Sequence, residues 1–249
     1  MMSDQEQELN TKSSNIFRFK QFEVEQEGCA MKIGTDGVLL GAWADCENAK
    51  DILDIGTGTG LIAIMMAQRV SDAIIDAVEI DDSACQTAQQ NMSNSPFASR
   101  LNCIKDSIQD FAKVSHKEYD LIICNPPFFT GGTLSDQENR NNVRHTVKLP
   151  NGELLSSVRR LLKKEGKFCA ILPLIEGLRF KEQAHNYNLH CSKVTEVKPK
   201  HDKSVERLLL QFEKTEKEEI SNQLVIQFEK RNDYTEEYIE LTKEFYLKM

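Results

Sequence analysis

The run Asn125-Pro126-Pro127-Phe128 combines an amide acceptor, a rigid backbone and a flat aromatic face, a set suited to holding a planar amine. An exocyclic amine on a nucleobase is a poor nucleophile because its lone pair is delocalised into the ring. Two acceptors around its N–H bonds favour a more tetrahedral nitrogen and aim the lone pair at an electrophile. Asn125 offers its side-chain carbonyl, and Pro126 a backbone carbonyl fixed by the proline that follows. Phe128 offers a ring on which a base can stack, worth about 1–3 kcal/mol. No strong general base is required, since the nitrogen becomes acidic once it attacks, and alignment carries the rate. An isolated Asn-Pro-Pro more often ends a strand with its aromatic neighbour packed inside. Its place downstream of a cofactor-type loop favours the chemical reading here.

That loop is Asp54-Ile55-Gly56-Thr57-Gly58-Thr59-Gly60. Gly56, Gly58 and Gly60 let the backbone turn sharply and approach a ligand without Cβ clashes, and the helix beyond presents free N–H groups. Glu79, at the carboxyl end of the next strand, is placed to accept both ribose hydroxyls of an adenosine. Asp106, after a third strand, is placed to reach the adenine amino group, with Ser107 beside it. Each has a plain alternative, Glu79 as a helix cap and Asp106 as a turn residue. The stretch 58–63 also fits the dinucleotide pattern. Asp54 favours S-adenosyl-L-methionine instead, because an acid there can anchor the loop and meet an ammonium group, and no hydride-transfer residue announces itself. Loop and clamp together predict S-adenosylmethionine-dependent methylation of an amine.

The elements that must position these residues alternate from residue 51 to about 190. Strands are expected at 51–55, 73–79, 101–105, 119–124 and 167–172, with helices at 61–69, 82–91, 154–164 and 176–187 between and after them. Gly166 is read as the breaker after the 154–164 helix, and late strands fall near 190–197 and 206–212. This alternation predicts a Rossmann-like, doubly wound α/β sheet of seven mostly parallel strands with small N- and C-terminal additions. The 224–228 segment suggests an extra strand, and 235–247 is amphipathic, with Tyr238, Leu241, Phe245 and Tyr246 as a docking face. The division expected is a flexible tail over 1–15 and a single domain over 16–249, built from an N-terminal cofactor-pocket segment (16–50), a core (51–213) and a C-terminal appendage (214–249). The 129–146 loop, with Gly131-Gly132, reads as a mobile lid.

Composition restrains the rest. The chain of 249 residues is 28% charged and 40% apolar, which suits one sizeable soluble domain. No secretory signal or membrane span is visible, so a cytoplasmic protein is expected, and the sequence leaves its oligomeric state open, with a monomer favoured. Seven cysteines without Cys-x-x-Cys argue against a disulfide framework and a zinc site, so no metal is expected, and Cys103 and Cys124 read as buried thiols. The five histidines form no catalytic set, and His145 reads as a solvated loop residue. The net charge of −8 has the wrong sign for a nucleic-acid partner. Local basic clusters exist nonetheless: Arg140, Arg144 and Lys148; then Arg159, Arg160, Lys163, Lys164 and Lys167 on a helix and its exit; then Lys193, Lys198, Lys200, His201, Lys203 and Arg207. Solvated faces explain any one of them equally well.

With these motifs in view, the chain resembles the class I amino-methyltransferases that carry Asn-Pro-Pro-Tyr/Phe. More closely it is similar to the bacterial tRNA adenine N6-methyltransferases that modify adenine 37, next to the anticodon of valine tRNA. The likeness extends from Phe17 onward and includes the run from Lys32 to Trp43, Ala77-Val78-Glu79-Ile80-Asp81, Tyr234-Thr235 and Phe245-Tyr246-Leu247. The resemblance implies that Thr35 and Asp36 help close the cofactor pocket, where residues alone suggest a helix start capped by Asp36. It implies a tRNA anticodon stem-loop as partner, in which the base is already accessible. Guanine N2 of ribosomal RNA or a glutamine amide would fit the same clamp, and a non-catalytic cofactor-binding RNA partner is a third possibility.

Overall fold

The computed structural model describes residues 15–29, 32–127 and 149–248. Its N-terminal hairpin pairs β1 (Ile16–Arg18) antiparallel with β2 (Glu23–Glu25). Helix α1 (Thr35–Trp43) leads into β3 (Asp51–Ile55), α2 (Leu61–Arg69), β4 (Ile74–Glu79), α3 (Asp82–Asn94), β5 (Leu101–Lys105), α4 (Ile108–Val114) and β6 (Tyr119–Cys124). Then follow α5 (Asn151–Leu161), β7 (Leu162–Pro173), α6 (Leu174–His185), β8 (His190–Lys200), β9 (Arg207–Glu213), β10 (Ile220–Gln227) and α7 (Glu236–Thr242).

The main sheet has the order β10-β8-β9-β7-β6-β3-β4-β5. Its strands are parallel except β9, which runs antiparallel to both β7 and β8. β3 and β6 are neighbours, so the loops leaving their carboxyl ends, one carrying the glycines and one carrying Asn125, emerge side by side. That adjacency turns two motifs distant in sequence into one site. The sheet holds eight strands where seven are expected, because β10 adds to the outer edge of β8.

Strand alternation divides the apolar side chains between two faces. Ile52, with Ile75, Leu121 and Leu209, packs into the cluster that includes α1 and α2, while Leu53, Ile55, Ile122 and Leu210 join α5 and α6 on the other face. Each such burial stabilises by roughly 1.5–3 kcal/mol. The second face is closed by Phe168, Phe180 and Phe212, whose ring centroids lie 5.7 to 6.2 Å apart. On the first face, Tyr238 and Phe245 are buried, with Leu241 and Tyr246 packed against them, as the amphipathic pattern anticipates. The helix itself is shorter than that pattern and is capped by the Thr235 hydroxyl, which accepts from the Tyr238 N–H at 3.2 Å.

The expected 154–164 helix is corrected at its end. Helix α5 stops at Leu161, and Lys163 and Lys164 belong to β7. Gly166 is not a helix breaker. The pairing of β6 with β7 shifts register between Tyr119 and Leu121, and a Cβ on Gly166 would come within 2.8 Å of the Tyr119 carbonyl oxygen. Glycine is required there because two backbones approach closely in the irregular stretch. Among the described residues no helix is long and apolar enough to cross a membrane.

Candidate functional site

After β3 the chain turns through three left-handed glycines, Gly56, Gly58 and Gly60, with φ of 67°, 57° and 82°. A Cβ at Gly56 or Gly58 would point into open space, so these two floor a cradle. Gly60 instead backs onto α3, where a Cβ would meet Met92 and Ala88 at 3.3–3.4 Å. The loop is pinned from beneath. The Gly56 N–H donates to the Val78 carbonyl at 2.8 Å, the Gly58 N–H to Glu79 Oε2 at 2.9 Å, and the Thr57 hydroxyl to Asp54 Oδ2 at 2.6 Å.

Glu79 is buried at the end of β4, and its Oε1 accepts the Asp81 N–H at 2.9 Å. It therefore joins the glycine loop to the start of α3, whose cap is Asp81, accepting from the Ala84 N–H. Asp106 Oδ1 accepts the Ser107 N–H at 2.7 Å, and Ser107 caps α4 by accepting the Asp110 N–H at 3.0 Å. Asp106, Ser107, Ile80 and Leu149 line a cavity of about 50 Å³ that reaches Gly56.

Gly56 also lines the larger cavity, about 580 Å³, shared with Thr35, Asp36, Gly58 and Asn125. The two cavities share Gly56 in their walls and lie along the carboxyl edge of the sheet. Two acceptors here are of a different kind. Asp54, 1% exposed, has an Oδ1 with no hydrogen-bond partner among the described residues, and the same holds for Asn125 Oδ1. Burial pushes the Asp54 carboxyl up to about 7, opposed by the Thr57 hydroxyl and the Ala63 backbone N–H, with nearby Glu79 adding to the rise. A buried acceptor left without a donor costs free energy; Asn125 lines the large cavity, and Asp54 is bonded to Thr57, which lines it. Pro126 is buried behind Asn125. Phe128, the 129–146 loop, His145 and the Arg140–Lys148 cluster lie outside the described residues.

Thr35 opens α1, and Asp36 stands in its first turn, so the cap is Gly34 and not Asp36. Asp36 Oδ2 pairs with Arg207 Nε at 2.8 Å, tying α1 to the start of β9 across the large cavity. Two residues that sequence reasoning did not single out in these roles hold the site together. One is Arg207. The other is Asn91, 3% exposed, whose Nδ2 donates to the carbonyls of Thr59 and Glu25 while its Oδ1 accepts the Glu25 N–H. A polar residue on the apolar face of α3 was the available signal. The second basic cluster is dispersed: Lys163 pairs with Asp51 and Asp120, each at 2.9 Å, and Lys167 with Asp45. Asp51 opens β3 and Asp120 lies near the start of β6, so Lys163 sits at the end of the sheet opposite the cleft. Cys124 is fully buried as expected, but Cys103 is only partly so and lies with its Sγ 3.4 Å from that of Cys85. No group of three or more His, Cys, Asp or Glu among the described residues could hold a metal ion.

Comparison with known proteins agrees with this geometry. A family model described as methyltransferase small domain matches residues 32–183. A relative from Flavobacterium psychrophilum, named tRNA1(Val) (adenine(37)-N6)-methyltransferase, is 44% identical over 94% of this chain and 100% of its own length. One of the same name from Photobacterium profundum is 42% identical over 94% of this chain and 98% of its own. Among solved structures, a predicted O-methyltransferase, Atu636, from Agrobacterium tumefaciens superposes with a TM-score of 0.67 at 14% identity, covering 84% of this chain and 96% of that one. The glycopeptide N-methyltransferase MtfA, complexed with (S)-adenosyl-L-methionine, gives 0.55 at 11% identity, covering 75% and 97%. These structural likenesses establish the fold, that of the class I methyltransferases. The family model and the closely similar relatives establish more: the chain belongs to the methyltransferase small-domain family, in its tRNA1(Val) (adenine(37)-N6)-methyltransferase branch.

Proposed function

We propose that this chain methylates the exocyclic N6 amine of adenine 37 in valine tRNA, taking the methyl group from S-adenosyl-L-methionine and engaging the anticodon stem-loop in the cytoplasm. The observation that carries the reading is the 42–44% identity, over 94% of the chain, to relatives bearing that name.

The residues present fit the cofactor. Gly56 and Gly58 leave a cradle that a Cβ would occupy, and Asp54 Oδ1 is a buried acceptor in want of a donor. When bound, S-adenosyl-L-methionine supplies an electrophilic methyl on a sulfonium. Asp54 would accept from the ammonium group. Each Glu79 oxygen already accepts one backbone N–H and retains a lone pair for a ribose hydroxyl. Asp106 would accept from the adenine amino group through Oδ2, with Ser107 fixing the turn beside it. Thr35 and Asp36 would close the far wall, and Gly60 would hold the loop against α3.

Asn125 Oδ1 and the Pro126 carbonyl would accept the two N–H bonds of the target amine, turning its lone pair toward the methyl, while Phe128 would stack the base. Catalysis by this set is alignment of two bound groups. The test is methyl transfer from labelled S-adenosyl-L-methionine to unmodified tRNA, with nucleoside identification. N6-methyladenosine in valine tRNA, lost in Asn125→Ala while cofactor binding persists, is the expected result. Label in guanosine or in protein would overturn the acceptor, and cofactor binding without any transfer would overturn catalysis.

A further inference from the structure

The wall of the large cavity farthest from the glycine loop is built by two turns. One joins β8 to β9, and the other follows β10. Lys200, Glu206, Arg207 and Gln227 from these segments line the same cavity as Asn125. The turns are fastened together: Lys200 Nζ donates to the Glu229 carbonyl at 2.7 Å. On them the rings of His201 and Phe228 stack at a centroid separation of 5.9 Å and an interplanar angle of 30°. Phe228 is 42% exposed, and His201 is exposed as well.

An exposed phenylalanine contributes little to a core. Two stacked rings, each next in sequence to a residue that lines the cavity shared with Asn125 (Lys200 and Gln227), have the form of a base-stacking platform. Lys198 and Lys203 flank His201, and Lys230 and Arg231 follow Phe228. Asp202 partly neutralises Lys203 at 3.6 Å, and Glu229 and Asp233 share the second turn. The chain's net charge of −8 works against phosphate contacts, so a contact that does not depend on charge gains weight. Stacking does not depend on net charge and accepts any base.

We infer that His201 and Phe228 form a platform on which an unpaired base of the RNA loop, a neighbour of the target adenine, stacks while the target occupies the Asn125 clamp. The inference rests on the proposed RNA acceptor and assigns it a second contact. The platform positions the loop and does not read its sequence.

The test is direct binding of an unmodified anticodon stem-loop RNA, alongside steady-state transfer kinetics and cofactor affinity. Phe228→Ala and Phe228→Leu should each weaken RNA affinity about tenfold, with the cofactor Kd and the melting temperature unchanged. Phe228→Trp should restore binding, and His201→Ala should weaken it about threefold. Full binding in Phe228→Ala would overturn the platform. So would rescue by leucine equal to that by tryptophan, which would mean apolar packing, or a parallel fall in melting temperature and cofactor affinity. Wild-type protein that binds the RNA but transfers no methyl would sink the proposed activity while the Phe228 series still tests the platform. Wild-type protein that does neither would sink both.

Discussion

The two ends of the cleft use their polar side chains differently. At the adenosine end, Glu79 holds the Gly58 and Asp81 N–H groups, Asp106 holds the Ser107 N–H, and Ser107 caps α4. At the transfer end, Asp54 Oδ1 and Asn125 Oδ1 are buried without a partner among the described residues. On the proposed function the first set serves folding and binding together, and its side chains are already held by intramolecular bonds. The second set carries a desolvation cost that only a ligand can offset, which is how binding free energy is directed at the reacting atoms. The difference predicts that substitutions at the transfer end separate function from stability, and that those at the adenosine end do not.

The sharpest separation is expected at Asn125. Removing one of two acceptors around the amine should lower kcat by about two to three orders of magnitude, with cofactor Kd and melting temperature held, as single-turnover kinetics and calorimetry would measure. A variant that loses transfer and cofactor affinity equally would erase the proposed division.

Asp54 comes next, and it carries a pH signature. Burial holds its carboxyl up at about 7 in the ligand-free protein, against 3.8 for a free aspartate. An ammonium partner favours the ionised form, so binding below pH 7 must expel a proton. Cofactor Kd should therefore rise about tenfold per pH unit as pH falls below 7 and level off above it. Asp54→Asn should weaken binding roughly tenfold at pH 8 and flatten that profile. The sign for stability is opposite. A folded-state pKa raised above the unfolded value favours the protonated fold, so this residue's contribution is full below 3.8 and is lost as pH rises through about 7.

The parts of this arrangement legible in the sequence are those encoded locally. β3, α2 and β6 fall at the residues their apolar runs indicate, and the glycines mark the turn that needs positive φ. What was hidden depends on partners far along the chain. β1 and β2 have three residues each, too few for a periodic signal, and β2 is held at Glu25 by Asn91, more than sixty positions away. Lys163 and Lys164 have helix-forming side chains, yet they lie in the irregular stretch between the Tyr119–Leu162 and Leu121–Lys167 pairs, where pairing of β7 with β6 overrides that preference. The cluster around Lys163 looks like a nucleic-acid patch only until Asp51 and Asp120 fold against it. Ser107 reads in the sequence as a cofactor contact beside Asp106, and the structure shows it capping α4, because a cap and a ligand-facing serine look identical in sequence.

At Glu79 the adenosine end should show its double duty. Glu79→Gln keeps one acceptor but turns an amide N–H₂ toward a backbone N–H, either that of Gly58 or that of Asp81. A mismatch of this kind costs about 1–3 kcal/mol. Thermal unfolding should report it in the ligand-free protein, and cofactor affinity should fall alongside, about tenfold. Loss of affinity at full stability would mean that Glu79 is a ligand contact only, as the transfer-end residues are.

Ser107 gives the smallest effect and the finest discrimination. Its hydroxyl accepts the Asp110 N–H at 3.0 Å and donates to Asp110 Oδ2 at 2.9 Å, so both its acceptor and its proton are engaged within the first turn of α4. Ser107→Ala should cost about 1 kcal/mol of stability, the usual worth of an N-cap. Because the Asp106 carboxylate is held by the Ser107 backbone and not by its side chain, cofactor affinity should stay within about twofold, since no ligand bond is removed. Ser107→Thr keeps a capping oxygen and should recover the stability. If Ser107→Ala instead weakened cofactor binding tenfold at unchanged melting temperature, the hydroxyl would have left its cap for the ligand, and the two ends of the cleft would no longer differ in kind.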